Sequence, residues 1–343
     1  MKIDIYTHVI PEKYRNALFK RAPASGMGRK MMEGTRTLWD LETRFHIMDR
    51  YDNYKQVITV IGLPIESVAK GKDAVELAKI ANDEAAELIA KYPTRFLCAV
   101  ANLPLDDTEA ALKELDRAVN VLKLKGIIIY TPIYFFKEAQ PPAGGKPLDS
   151  PELIPIYEKM AEYNLPIWIH PNPLYDMRVV DYTSEREAKY FAWQVFGWPY
   201  QDTLAQVRLV FSGILDKHPN LKFINHHSGA MVPFLGSRIT AMYNWSEMRC
   251  GEGSKKGLTK SPREYFRMFY NDTAISGSSA GLMCAHDFYG AEHLLFGTDM
   301  PFDMELGNET IRETIRSVEQ MDIPPEDKSA IFEGNAKRLL LLR

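Results

Sequence analysis

Eight short apolar or β-branched runs, each bounded by turn residues, recur along the chain: "KIDIYTH", "QVITVIG", "RFLCAVAN", "KGIIIYT", "LPIWIHP", "LKFINHH", "MFYNDTA" and "HLLFGTD". Between several of them lie segments of helical period: "DAVELAKIANDEAAELIAKY" from Asp73, "DTEAALKELDRAVNVL" from Asp107 and "SPELIPIYEKMAEYN" from Ser150. Asp107 and Ser150 stand where N-caps belong, and Pro151 follows at the first helical position. "DTLAQVRLVFSGILDKHP" and "NETIRETIRSVEQMD" continue the rhythm. Strand and helix alternating eight times predict an α/β fold in which a parallel sheet closes into a (β/α)8 TIM barrel.

A chain of 343 residues with 45% hydrophobic content can fill such a barrel as a single domain spanning 1–343. Three stretches exceed a minimal barrel: residues 12–43, 131–149 with "QPPAGGKP", and 171–200, which is dense in aromatics from Tyr175 to Tyr200. They follow the first, fourth and fifth strands, so they are expected as insertions over the C-terminal face. The net charge of −3 comes from well-mixed acids and bases without a basic run, which argues against nucleic acid as a partner. No membrane span or signal-peptide pattern is visible, and a cytoplasmic location is expected. Cys98, Cys250 and Cys284 match no metal or redox spacing and are read as reduced packing residues.

The polar strand ends carry the chemistry. His8 ends the first strand, His170 the fifth, His226 and His227 the sixth, and Asp299 the eighth. In a barrel those ends surround one cavity, so imidazole and carboxylate distant in sequence can meet around one divalent ion, zinc or manganese. His46, His218, His286 and His293 lie in helical or turn contexts and are read as structural. Tyr6 and His8, two apart on a strand, face the same side.

The chain resembles the amidohydrolase-related proteins of the aminocarboxymuconate-semialdehyde decarboxylase type, metal-dependent decarboxylases and hydrolases of the amidohydrolase superfamily. The resemblance runs through "KIDIYTHVIP", "RFHIMDR", "YPTRFLCAVANLPL", "IWIHP", "GWPYQDT", "HPNLKFINHHSGAMVPFLGSRI", "GTDMPF" and "EGNAKRLL" in that order. It implies His8, His170 and Asp299 as ligands of one ion. Where such proteins usually open with His-x-His, this chain has Tyr6; related decarboxylases often carry glutamate there. A phenol beside a cation can ionise and ligate, or it can stay neutral and hydrogen-bond a water or the substrate. Contact with the ion is the expectation taken, with the neutral role kept open and loss of the metal a third case.

The family pattern places a catalytic histidine two residues before a Gly and six before a Pro, which His227 satisfies with Gly229 and Pro233. His226 is then expected to face the opposite side of the strand as a structural residue. Asp299 would share the catalytic proton handling, and Arg238 matches an arginine that binds a substrate carboxylate in the neighbouring subunit's pocket, with a helix-surface ion pair as the equal alternative. Trp198 and Phe302 either line the pocket or only pack. The fourth strand ends in "GIIIYTP" without the lysine that bridges two metals in superfamily members, which implies a mononuclear centre. The function implied is metal-dependent, non-oxidative decarboxylation of a small aromatic or conjugated carboxylic acid by a homodimer or higher homo-oligomer. The alternatives are a hydrolase or hydratase of a lactone, amide or vinylogous C–C bond, and a non-catalytic barrel that has lost its metal.

Overall fold

The computed structural model describes residues 1–22, 27–134, 145–172, 190–250 and 258–342. Its strands are β1 (Lys2–Val9), β2 (Tyr54–Val60), β3 (Phe96–Val100), β4 (Ile127–Thr131), β5 (Ile167–Pro171), β6 (Phe223–Asn225) and β7 (Tyr270–Asn271). They form two parallel arcs, β1-β2-β3 and β4-β5-β6-β7. The bridge Ala101↔Ile127 joins the arcs on one side. On the other side the predicted eighth strand is an irregular segment, yet it pairs both ways: Leu294 bridges Asn271 and Met300 bridges Thr7. Backbone N–H groups of Ile5 and His8 donate to the Phe296 and Met300 carbonyls at 2.9 Å each, which closes the (β/α)8 barrel.

Helices cover the strands much as the periodicity requires. Lys72–Lys91 buries Leu77 together with Ala74, Ala78, Ala81 and Ala85, the alanines letting it lie close on the sheet. Thr108–Asn120 begins at Asp107, whose carboxylate accepts from the Ala110 N–H at 3.0 Å. Ser150 behaves differently. A 3₁₀ turn, Pro151–Leu153, precedes the helix Ile154–Tyr163, and the Ser150 hydroxyl donates to the Pro147 carbonyl at 2.7 Å instead of capping. Further along, Trp198–Phe211 and Asn308–Glu319 are the longest helices of their stretches.

The barrel axis is filled by large side chains. Trp168 is fully buried and donates its indole N–H across to the Ile5 carbonyl at 3.0 Å. Beside it Gly126, at φ +154°, leaves no room for a side chain: an added Cβ would lie 2.5 Å from the Trp168 ring. On β1, Asp4, Tyr6 and His8 make an inward column by strand alternation, from the barrel floor to its rim. Asp4 and Tyr6 are fully buried, and that column ties β1 to the strands facing it.

The three long excursions are described in part. In the first, helices Glu12–Arg21 and Met27–Gly34 lead to Leu41–Met48, with residues 23–26 outside the described set. Residues 135–144 of the second, and 173–189 of the third with Tyr175 and Tyr182, also lie outside it. No helix among the described residues is long and apolar enough to cross a membrane.

Candidate metal centre

The rim of the barrel gathers the polar strand ends into one cluster. A ring nitrogen from each of His8, His170 and His226 lies within 4.8 Å of the other two. His226, His227 and Asp299 satisfy the same distance. All three members of the first trio are buried, and Asp299 is 24% exposed towards the cavity.

Each imidazole is set by a partner on its far side. β1 and β2 run in register at His8↔Thr59, so the Thr59 hydroxyl sits beside His8 Nδ1 at 2.6 Å. That hydroxyl already donates to the Thr7 carbonyl at 3.0 Å, so it accepts from the His8 Nδ1–H. The His8 Nε2 lone pair is left facing Asp299 Oδ1 at 2.9 Å. Two acceptors that close repel unless positive charge lies by them, and this donor set therefore fits a divalent cation. His170 repeats the logic, with Nδ1 2.6 Å from the Pro171 carbonyl and Nε2 free. Arg44, buried under the rim, braces His8 by donating to its carbonyl at 2.7 Å.

Burial holds both His8 and His170 below the usual imidazole range, His170 far below, so both present neutral lone pairs. His226 goes the other way. Burial lowers its pKa, but the Asp272 and Asp299 carboxylates outweigh burial and raise it. Asp299 would be raised by burial, yet contact with His226 and His8 holds it far below the carboxylate range, so it is ionised. Its backbone sits at φ +63°, with the N–H donating to the Tyr6 carbonyl at 3.0 Å, and this kink aims the carboxylate off the strand end into the cluster.

The structure changes the reading of β6. His226 does not face away: it is 1% exposed, its Nδ1 is hydrogen-bonded to Asp272, and its Nε2 points into the cluster. His227 faces the cavity as well, with Nδ1 2.9 Å from the buried Asp202 carboxylate. Two adjacent residues share one side because the pleat ends at Asn225 and residues 227–230 all take positive φ, between +55° and +79°. Strand alternation does not apply across such a turn. Gly229 is required there, since a Cβ would meet Tyr289 at 2.6 Å.

Tyr6 lies where predicted but its oxygen is committed elsewhere. The hydroxyl donates to the Ile169 carbonyl at 2.8 Å, and burial with the nearby Asp272 charge keeps the phenol neutral. Its ring stacks on His226, centroids 3.9 Å apart and planes 8° from parallel. Trp198 and Phe302 line the same cavity, with Phe302 5.5 Å from the His8 ring between centroids. Met31, Met32 and Trp193 add walls drawn from the first and third excursions. Arg238 is not among the lining residues; it is exposed on the helix Val232–Cys250. Asp272, Asp202 and Thr59 escaped the sequence reading. Asp272 directly follows β7 and Thr59 lies at the end of β2, so the strand-end rule applied to every carboxylate and hydroxyl would have found both.

The amidohydrolase family model matches residues 3–342. The chain belongs to the amidohydrolase family. It is 27% identical over 355 residues to a 2-amino-3-carboxymuconate-6-semialdehyde decarboxylase of Dictyostelium discoideum, covering 99% of this chain and 91% of that one. It is 28% identical over 313 residues to a gamma-resorcylate decarboxylase of a Rhizobium species, covering 88% and 87%. A dihydroxybenzoic acid decarboxylase from a Polaromonas species, solved with bound manganese and the inhibitor 2-nitroresorcinol, superposes with a TM-score of 0.80 at 26% identity over 100% of this chain and 98% of that one. In this amidohydrolase His8 ends β1, His170 ends β5 and Asp299 meets them at the rim, with Tyr6 two residues before His8.

Proposed function

We propose that this amidohydrolase is a metal-dependent, non-oxidative decarboxylase of a small aromatic or conjugated carboxylic acid. The observation that carries the reading is the convergence of His8, His170 and Asp299 at the barrel rim, with His170 and Asp299 lining an aromatic-walled cavity. Relatives matched along nearly the whole chain are decarboxylases.

His8, His170 and Asp299 would hold the ion, which would supply the positive charge that binds the substrate carboxylate and a neighbouring oxygen. The Polaromonas neighbour's manganese makes manganese the first ion to try, with zinc second. Trp198, Phe302 and Tyr130 offer faces for a flat ligand and keep water from it. In the reaction one C–C bond breaks, one C–H bond forms and carbon dioxide leaves, without change of redox balance. His227, its Nδ1 held by Asp202, presents Nε2 as the proton donor to the carbon. Asp299 would share the proton handling, taking a proton from a substrate hydroxyl once substrate replaces its contact with His8 and returning it to the product.

Protein loaded with manganese or zinc is expected to release carbon dioxide from at least one member of a panel of hydroxybenzoates, heteroaromatic acids and muconate-type acids. A chelator should abolish the release and added metal restore it. Silence across the panel from metal-replete protein overturns the reading, and solvent ¹⁸O in a product would favour the hydrolase or hydratase chemistry instead.

Arg238 is read as part of a partner subunit's pocket. Phe234, Met242 and Trp245 are exposed on the same helix at spacings that share its face, 82%, 47% and 54% accessible respectively, an apolar stripe suited to a second copy. In the dimer expected from this, Arg238→Ala should raise KM by about 10- to 100-fold, the loss of one charged hydrogen-bonding group, with kcat little changed. A monomer by sedimentation, or an unchanged KM, would remove the assignment.

A further inference from the structure

We propose that His226 is itself a ligand of the ion, and that Tyr6 is the platform that holds it there. The proposal rests on the metal-dependent reading above and extends its donor set by a residue for which the sequence pattern gives no role.

Three observations carry it. The first is an orphan: His226 Nε2 is buried with no hydrogen-bond partner, and it points into the space bounded by His8, His170 and Asp299. Asp299 Oδ1 is 3.4 Å away, without the geometry of a hydrogen bond. The ion-pair contact with Asp299 leaves this buried ring nitrogen without a well-formed hydrogen bond, and a cation between the two would be the better partner for both.

The second is the support behind it. Asp272 accepts from His226 Nδ1, while its other oxygen accepts from the Ser228 and Ala274 N–H groups at 2.9 Å each. The carboxylate cannot swing, so Nδ1–H stays on Asp272 and Nε2 is the ring atom turned to the cluster, where a cation would take the place of its proton. A carboxylate behind a histidine in this way is the usual means of orienting a metal ligand.

The third is Tyr6. Its ring lies flat on the His226 imidazole and fixes the plane of that ring, while its hydroxyl is tied to Ile169 and is not available as a donor. The phenol thus contributes a surface, and the imidazole it supports contributes the nitrogen. This divides the labour of the adjacent histidines: His226 with Asp272 serves the ion, and His227 with Asp202 serves the substrate.

The test uses the full-length protein loaded with cobalt(II) and read by X-ray absorption and visible spectra, with affinity measured by competition against a chelator. The wild type should show three imidazoles on the metal. His226→Gln should show two, with affinity lowered by 10²-fold or more, beyond the range typical of losing a group that only supports a ligand. His170→Gln serves as the positive control for loss of one imidazole, and circular dichroism confirms that each variant is folded. Should His226→Gln fail to fold, Tyr6→Phe decides: it keeps the ring and should keep three imidazoles and the wild-type affinity. An unchanged imidazole count in His226→Gln overturns the proposal, as does a phenolate charge-transfer band in the wild type that Tyr6→Phe abolishes. A wild type that binds no cobalt, manganese or zinc overturns the metal-dependent reading itself, and so separates the two failures.

Discussion

Asp299→Asn is expected to lower kcat by about 10²- to 10⁴-fold, the range for removing a group that exchanges a proton with the reacting molecule. The asparagine keeps the size of the side chain and one acceptor oxygen but not the charge. That charge is what the site is built around: Asp299 Oδ1 is 2.9 Å from His8 Nε2 and 3.4 Å from His226 Nε2. Contact with His226 and His8 overcomes the effect of burial and holds the carboxyl well below its usual range. A neutral amide can neither accept the substrate's proton nor balance a dication, so bound metal should fall together with kcat. Steady-state kinetics with metal analysis of the same preparation checks this. A variant that keeps its metal and turns over within about tenfold of the wild type would show that the carboxylate takes no part in the chemistry.

The largest effect on stability is expected at Asp4, far below the site. Asp4 is fully buried and its two oxygens accept four hydrogen bonds: from the Tyr54 hydroxyl, the Thr298 N–H at 3.0 Å, the Thr298 hydroxyl at 2.5 Å and the Tyr6 N–H at 3.3 Å. Both hydroxyls are forced to donate here, because Thr298 Oγ1 accepts from the Met300 N–H and the Tyr54 oxygen from Gln56. Asp4→Ala leaves these donors buried without an acceptor and should cost about 3–5 kcal/mol, the sum for a few unsatisfied buried groups. Denaturant unfolding should show a lower midpoint at an unchanged slope, and Asp4→Asn, which keeps one acceptor oxygen, should fall between the two. A loss under about 1 kcal/mol would mean that water or a shift of β1 satisfies the donors. The residue also links the first strand to the last segment of the barrel, 294 positions away, next to Asp299. That eighth segment is irregular, and side-chain bonds of this kind supplement its few backbone pairs.

The alternation of strand and helix is a local property, and it is enough to place His8 and His170. Each ends a regular strand, where a period of two leaves one choice of side. The aromatic walls follow from the same logic, because excursions after the first and fifth strands must emerge at the rim. What the chain's own order could not decide is everything set by contacts across the barrel. His226 and His227 are consecutive, and which of them faces the cavity depends on a run of positive φ angles held by Asp272 and Gln206, residues 46 and 23 positions from the atoms they bind. The fate of the Tyr6 oxygen depends on a carbonyl 163 residues away. Charge at the site is likewise a tertiary quantity: His8 and His226 carry the same side chain, yet burial leaves one neutral while two carboxylates raise the other. Sequence determined which chemical groups reach the rim. Only the folded neighbourhood, through long-range hydrogen bonds and desolvation, decided which atom of each is left free to act.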